Sequence, residues 1–366
     1  MMRSRERFLA AMAHRSPDRV PIDYQAKLPV REKLKDLYDV TTEKELLDTL
    51  GCDFYYLSVR DISQNETMLP IYHGPKLLFS DTERVCPFGI RFRRTVGQDK
   101  FGADEAVAGP LEKSTTVKEI LEYPLPDPSW FDMDALAAEC EEYSDKVIIG
   151  GFWTAIFGDS YRMHGFENFL LNMSMNPDLI HCLIERMTDF YLELNERLFT
   201  AIGRRMDIFF MGNDFGSQGG LLFSEQMWLD FFHDPYERII SHAKRKGYAV
   251  MVHSCGAIEP LLKHFISCGV DILDPVQTTA SGMDQAVLKE RYGKQLVFHG
   301  AIDTQGVLPH GSQEDVIVHV KETVKTLGKE GGYLFASCNS LQNDTPIENV
   351  HAMYATARDS SWQKDL

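Results

Sequence analysis

The chain has 366 residues, 44% of them hydrophobic and 25% charged, an ordinary globular composition with room for one large α/β domain or two smaller ones. A net charge of −16, with no basic cluster larger than Lys244-Arg245-Lys246, excludes nucleic acid as a partner, because a phosphate backbone demands a cationic footprint. No apolar run approaches the ~20 residues that span a bilayer, Met1–Glu6 lacks a signal-peptide core, and seven scattered cysteines form no even set, so a cytoplasmic protein without membrane contact or disulfide framework is expected.

In chain order, Arg3–Ala13 carries Phe8, Leu9 and Met12 among charges, which suits an amphipathic opening helix. Val20-Pro21-Ile22-Asp23-Tyr24 is a short strand candidate, a helix closes at Leu46–Leu50, and Cys52–Val59 is a second strand. Residues 60–128 turn irregular, with alternation such as Ile90-Arg91-Phe92-Arg93. They are expected to form a hairpin-bearing insertion, either covering a site or making a solvated excursion. Further strands are expected at Val147–Gly151, Ile208–Gly212, Ala249–His253, Asp271–Asp274, Leu296–Gly300 and Tyr333–Ser337, with helices such as Pro177–Ile202 and Glu314–Leu327 between them. Eight nearly apolar strands alternating with helices predict an α/β fold of the (β/α)8 barrel type, as a single domain. No Gly-x-Gly-x-x-Gly opens a helix after a strand, which disfavours a doubly wound dinucleotide-binding fold.

Barrel active sites lie where strands end and βα loops begin. Polar residues stand at nearly every predicted exit: Arg60 and Asp61, Trp153, Asn213 and Asp214, His253 and Cys255, Asp274 and Gln277, His299 and Asp303, then Cys338, Asn339 and Gln342. The stretch Ala249–Gly256 is the sharpest. Side chains alternate along a strand, so His253 and Cys255 should leave it on one side, giving half of a tetrahedral zinc site. Alternatively, Cys255 is a small buried residue and His253 a satisfied core histidine. Cys338 falls across the mouth of a closed barrel from Cys255, and would complete three protein ligands with an open fourth position. Such a zinc holds a substrate thiol as thiolate. Asp214 either orients or deprotonates a bound group or caps the following helix. His299 is either an acid/base or supporting group or a hydrogen-bonded barrel histidine. Asn213, Gln277 and Gln342 suit a polar uncharged ligand, and Asp274, Asp303 and Asn339 join them as candidate substrate contacts. Cys268, before Gly269, reads as core.

The segments Ser16–Pro21, Gly212–Gly216, His253–Gly256, Gly269–Gln277, His299–Asp303 and Asp344–Asn349 resemble the uroporphyrinogen decarboxylase superfamily over nearly the whole chain. That resemblance implies a (β/α)8 barrel. The true decarboxylases carry an arginine-rich loop after the first strand that holds substrate carboxylates. Here the equivalent stretch, Ile22-Asp23-Tyr24-Gln25-Ala26-Lys27, has no arginine. The chain looks instead like the corrinoid-dependent branch, similar to methylcobamide:coenzyme M methyltransferases. Those bind zinc through a His-x-Cys motif and a distant cysteine, matched here by His253, Cys255 and Cys338. Cys338 stands in Ser337–Gln342, without the flanking glycine of that branch, and if it is not a ligand, Asp214 and His299 are the next donors to test. The resemblance implies a methyltransferase that moves a methyl group between a corrinoid on a partner protein and a small-molecule donor or acceptor. A folate-type nitrogen held by Asn213, Asp214 and Gln277 is the acceptor implied if zinc is not kept. Other readings are a tetrapyrrole decarboxylase, or a non-catalytic corrinoid or tetrapyrrole binder. A second copy of the chain is a further candidate partner.

Overall fold

The computed structural model describes residues 2–58, 70–94 and 104–363. The expected strand-exit residues Arg60 and Asp61, and segments 60–69 and 95–103 of the insertion, lie outside the described residues. The strands are β1 (Phe54–Tyr56), β2 (Glu83–Val85), β3 (Arg91–Arg94), β4 (Asp104–Ala108), β5 (Val147–Trp153), β6 (Ile208–Gly212), β7 (Ala249–His253), β8 (Ile272–Val276), β9 (Val297–Ile302) and β10 (Tyr333–Ser337).

Seven strands form one parallel sheet in the order β1-β5-β6-β7-β8-β9-β10, with helices in the connections. The expected first strand is reduced to a single parallel bridge between Ile22 and Phe335. The reason is local: Pro21 has no N–H to extend a ladder. Even so, the segment is bonded on both sides. Phe335 N–H donates to the Pro21 carbonyl and Asp23 N–H to the Phe335 carbonyl, each at 2.8 Å, while Asp53 N–H donates to the Ile22 carbonyl at 2.7 Å. This closes the ring as a (β/α)8-type barrel, as the strand count predicts. The expected helix Pro177–Ile202 has those bounds, and the opening helix runs Ser4–Met12.

The interior splits by the two-residue period of the strands. Phe54, Tyr56, Val147, Ile149, Ile208, Phe210, Met251, Ile272, Val297 and Leu334 form a cluster of their own inside the ring. Phe8 and Ala11 of the opening helix plug its lower end. Two residues further along the same rows come His253 after Met251, Asp274 after Ile272 and His299 after Val297. The bore is therefore apolar below and polar at its C-terminal mouth. The opening helix is held down by ions: Arg7 and Arg19 both pair with the buried Asp53, at 2.5 and 2.7 Å, and Arg7 also pairs with Asp18.

The insertion carries a three-stranded antiparallel sheet, β2-β3-β4, so the predicted hairpin is present. Phe92 is buried in it under the Arg84 guanidinium, 3.9 Å from the ring centroid.

Candidate functional site

β7 and β8 run in register with His253 opposite Asp274, and β6 sets Gly212 opposite His253. These pairings bring three strand ends together at the mouth. The His253–Gly256 turn then packs backbone to backbone on the Gly212–Gly216 turn. A Cβ on Gly256, at φ +90°, would fall 2.6 Å from the Gly216 carbonyl carbon, so only glycine fits. Phe215 N–H donates to Ser254 Oγ at 3.1 Å, and Cys255 N–H donates to Asp214 Oδ1 at 2.8 Å. Asp214 thus braces the cysteine loop. The alternative role, capping the next helix, falls to Ser224, whose hydroxyl accepts from Met227 N–H.

His253 Nδ1 donates to Asp274 Oδ2 at 2.6 Å, which turns Nε2 toward the Cys255 sulfur at 3.3 Å and Asp214 Oδ1 at 3.5 Å. Among the described residues, one group of metal-ligating side chains has its ligand atoms within 4.8 Å of one another: Asp214, His253 and Cys255. Zinc at about 2.3 Å from sulfur and about 2.0–2.1 Å from nitrogen would set those two donors about 3.5 Å apart in a tetrahedron. The observed spacing fits with little movement. Asp274 fixes the imidazole from behind, as a carboxylate does in histidine–zinc sites.

Cys338 does not join that group. It is buried, and its thiol donates to the Val276 carbonyl at 3.2 Å. Asp214, rather than the expected Cys338, is the third donor within 4.8 Å of His253 and Cys255. Cys338 and Cys255 nonetheless line the same cavity, of 280 Å³, together with Gln218, Gln277, Gln305 and Asn339.

His299 lies deeper. It is 1% exposed, between Asp274 at 2.6 Å from Nδ1 and Asp23 at 3.0 Å from Nε2. It does not line the cavity, so it holds carboxylates in place rather than meeting a ligand. Burial alone would lower its pKa, but the two carboxylates raise it to about 9. Burial would likewise raise the Asp274 carboxyl, yet the imidazoles of His253 and His299 hold it well below the usual carboxylate range. For His253, burial opposes charge, and the Cys255 sulfur and Asp274 outweigh it, raising its pKa well above the ordinary value. One hydrogen-bonded line therefore runs Cys255–His253–Asp274–His299–Asp23 to the Tyr56 hydroxyl, which lies 3.0 Å from Asp23 Oδ2 and in turn accepts from Gln25 Nε2 at 2.7 Å.

The other expected contacts divide. Gln277 and Asn339 line the cavity, and Asn339 Nδ2 points at the Cys255 sulfur from 3.8 Å. Asp303 also lines it, but its carboxylate accepts the N–H groups of Gln305, Gly306 and Val307 and so shapes a loop. Asn213 is turned inward: its amide oxygen accepts from Phe157 and Gly158 N–H, and its nitrogen donates to the Tyr236 hydroxyl. Gln342 is spent on the Ser340 carbonyl outside the cavity, and the Asp274 carboxylate pairs with His253 and His299 and does not line it. Cys268 is buried, as expected of a core thiol.

One residue of the site, Asp23, was not singled out by sequence, and Trp153, expected at a strand exit, reaches its place by an unforeseen route. Asp23 follows the apolar Val20–Ile22 run at the position that alternation turns into the bore, a signal available in the sequence. Trp153 stacks at a tilt on His253, 4.8 Å between centroids. It gets there through three successive non-glycine residues at positive φ, Phe152, Trp153 and Thr154 at 54°, 63° and 42°, which no residue pattern announces.

A closed barrel with its polar groups gathered at the C-terminal mouth has the layout of an enzyme. The chain belongs to the uroporphyrinogen decarboxylase family: residues 109–360 match the family model described as Uroporphyrinogen decarboxylase (URO-D). Curated relatives include the uroporphyrinogen decarboxylase of Anaeromyxobacter dehalogenans strain 2CP-C, 23% identical over 98% of this chain and 99% of that one. That of Anaeromyxobacter sp. strain Fw109-5 is 24% identical over 78% of this chain and 81% of its own. Among solved structures, a methyltransferase from Methanosarcina mazei superposes with a TM-score of 0.67 at 16% identity, covering 98% of each chain, which supports the shared fold.

Proposed function

We propose that the protein is a methyltransferase that passes a methyl group from a corrinoid, presented by a partner protein, to the sulfur of a small thiol. The observation that carries this reading is the set Asp214, His253 and Cys255, one oxygen, one nitrogen and one sulfur donor spaced for zinc beside an open cavity. A bound zinc would supply a thiolate at neutral pH by lowering the pKa of the substrate thiol. The chain's own residues do the rest. Asp274 fixes the His253 ring, Asp214 braces the Cys255 loop, and Asn339 points a donor toward the sulfur. The methyl carbon leaves the corrinoid without the bonding electron pair and bonds to the sulfur lone pair, the thiol proton having departed on binding. The corrinoid donor rests on the motif resemblance, and the methyltransferase description of the Methanosarcina mazei chain accords with it.

Purified protein should hold about one zinc per chain and demethylate methylcobalamin only when a thiol is added. Metal-free wild-type protein that still transfers the methyl group would overturn the zinc-thiol reading.

A second reading has support from the two curated relatives, both uroporphyrinogen decarboxylases. Against it, Ile22–Lys27 has no arginine, and among the described residues no arginine or lysine lines the cavity to clamp a polycarboxylate. Incubation with uroporphyrinogen should yield no coproporphyrinogen. Turnover at about one per second or faster, the range of dedicated enzymes, would establish the second reading instead.

A further inference from the structure

The cavity at the mouth is small, 280 Å³, near the low end of ligand sites (~300–1,000 Å³). Its lining sorts by charge. Beyond Cys255 and Cys338 the wall is made of neutral hydrogen-bonders, Gln218, Gln277, Thr279, Gln305 and Asn339, and among the described residues it includes no arginine, lysine or histidine. The charged side chain that does line it is the Asp303 carboxylate, and Asp214 stands at the edge by Cys255.

The glutamines are oriented. Gln277 Oε1 accepts from Gly256 N–H at 2.8 Å, and Gln305 Oε1 accepts from Gln218 Nε2 and Thr279 Oγ1, both at 3.3 Å. With their carbonyl oxygens engaged, both residues keep their amide N–H groups as donors for a ligand. Such donors recognise a hydroxyl or carbonyl oxygen. An anionic tail in the same place would meet the Asp303 carboxylate, and among the described residues no lysine, arginine or histidine lines the wall to offset it, in a site where partial burial weakens screening.

We propose, building on the thiol reading above, that this cavity takes the tail of a small polar thiol that carries no negative charge. Sulfonate- and carboxylate-bearing thiols are selected against by Asp303. The neutral lining is thus the specificity determinant of the site.

Binding separates this inference from the activity it rests on. Cobalt(II) put in place of zinc gives a sulfur-to-metal charge-transfer band when a thiol ligates, so each affinity is read without turnover. Three thiols of one size serve as probes: 2-mercaptoethanol, cysteamine and 2-mercaptoethanesulfonate, each corrected for its own ionisation. The neutral or the cationic thiol should bind at least about tenfold tighter than the sulfonate. A sulfonate that binds equally well or better overturns the inference while leaving the thiol reading intact. Cobalt-loaded protein that gives no new band with any thiol overturns both. Thr279→Lys and Gln305→Lys each place a cation on the neutral wall, and either should improve sulfonate affinity by about tenfold relative to 2-mercaptoethanol. If both variants fold, load cobalt and leave that ratio unchanged, the tail does not lie in this cavity and the inference fails.

Discussion

His253 Nδ1 lies 2.6 Å from Asp274 Oδ2 across the β7–β8 register, and that contact decides which ring nitrogen is left to face Cys255 and Asp214. With Nδ1 committed to the carboxylate, Nε2 is the nitrogen that points at Cys255 and Asp214. The candidate metal donors are therefore oriented by a residue outside their group.

Asp274→Asn tests this dependence. The amide keeps the shape but loses the charge that orients two imidazoles, and such supporting carboxylates are worth about 10–100-fold in metal affinity. A chelator competition should show a loss in that range, with the circular dichroism of the wild type retained. Unchanged affinity would mean that the His253 ring is held by packing against Trp153 and Phe210 instead.

The ligand set itself gives a contrasting pair of variants. Cys255→Ser should abolish zinc binding and Asp214→Asn should weaken it, whereas Cys338→Ser should leave the metal content at about one per chain. The thiol of Cys338 is engaged with the Val276 carbonyl and stands outside the donor group around His253, so it gives up no ligand when replaced. Loss of zinc from Cys338→Ser under reducing conditions would restore it as the third ligand and remove Asp214 from that role.

Much of this arrangement was legible in the sequence. The strands Ile208–Gly212, Ala249–His253 and Tyr333–Ser337 have the predicted bounds, because each is an apolar run closed by turn-forming or polar residues. Strand alternation likewise foretold that His253 and Cys255 leave on one side. Three things were not legible. The shortening of the first strand depends on which neighbour Pro21 meets. Whether Cys338 or Asp214 stands near His253 is a matter of loop closure across the mouth, which spacing along the chain does not encode. The inward turn of Asn213 follows from the helix that begins at Ile156, whose first N–H groups take its amide oxygen.

Buried histidine between carboxylates also predicts how stability varies with pH. The pKa of His299 is raised to about 9 from an ordinary 6.5, so its contribution is fully present below about pH 6.5 and is lost as pH rises through 9. Asp274 is depressed, so its contribution is present above its ordinary value near 3.8 and is lost as pH falls below it. Thermal midpoints of the metal-free protein should hold steady from about pH 5 to 6.5 and decline from 6.5 to 10. In His299→Asn, which has no such proton to lose, that alkaline decline should be shallower. Equal slopes in the two proteins would place the titration elsewhere.

Gly212 carries the last prediction, because it explains how Trp153 reaches His253. A Cβ at Gly212 would fall 2.4 Å from the indole of Trp153, so the ring lies directly on bare backbone. Gly212→Ala gains about 0.4–1 kcal/mol from a stiffer unfolded chain, but overpacking of this kind costs about 1–3 kcal/mol. The clash wins, and urea denaturation should show a net loss of about 1–2 kcal/mol. Displacement of the indole from the imbalance of contacts at His253 should also change the tryptophan emission, with Trp130, Trp228 and Trp362 as an unchanging background. The decisive measurement is a double-mutant cycle with Trp153→Ala, which removes the ring that the new methyl strikes. Gly212→Ala should cost nothing further in that background, a coupling of at least about 1 kcal/mol. Additive costs would show that the indole moves aside freely, and that its place over His253 is not enforced by the glycine.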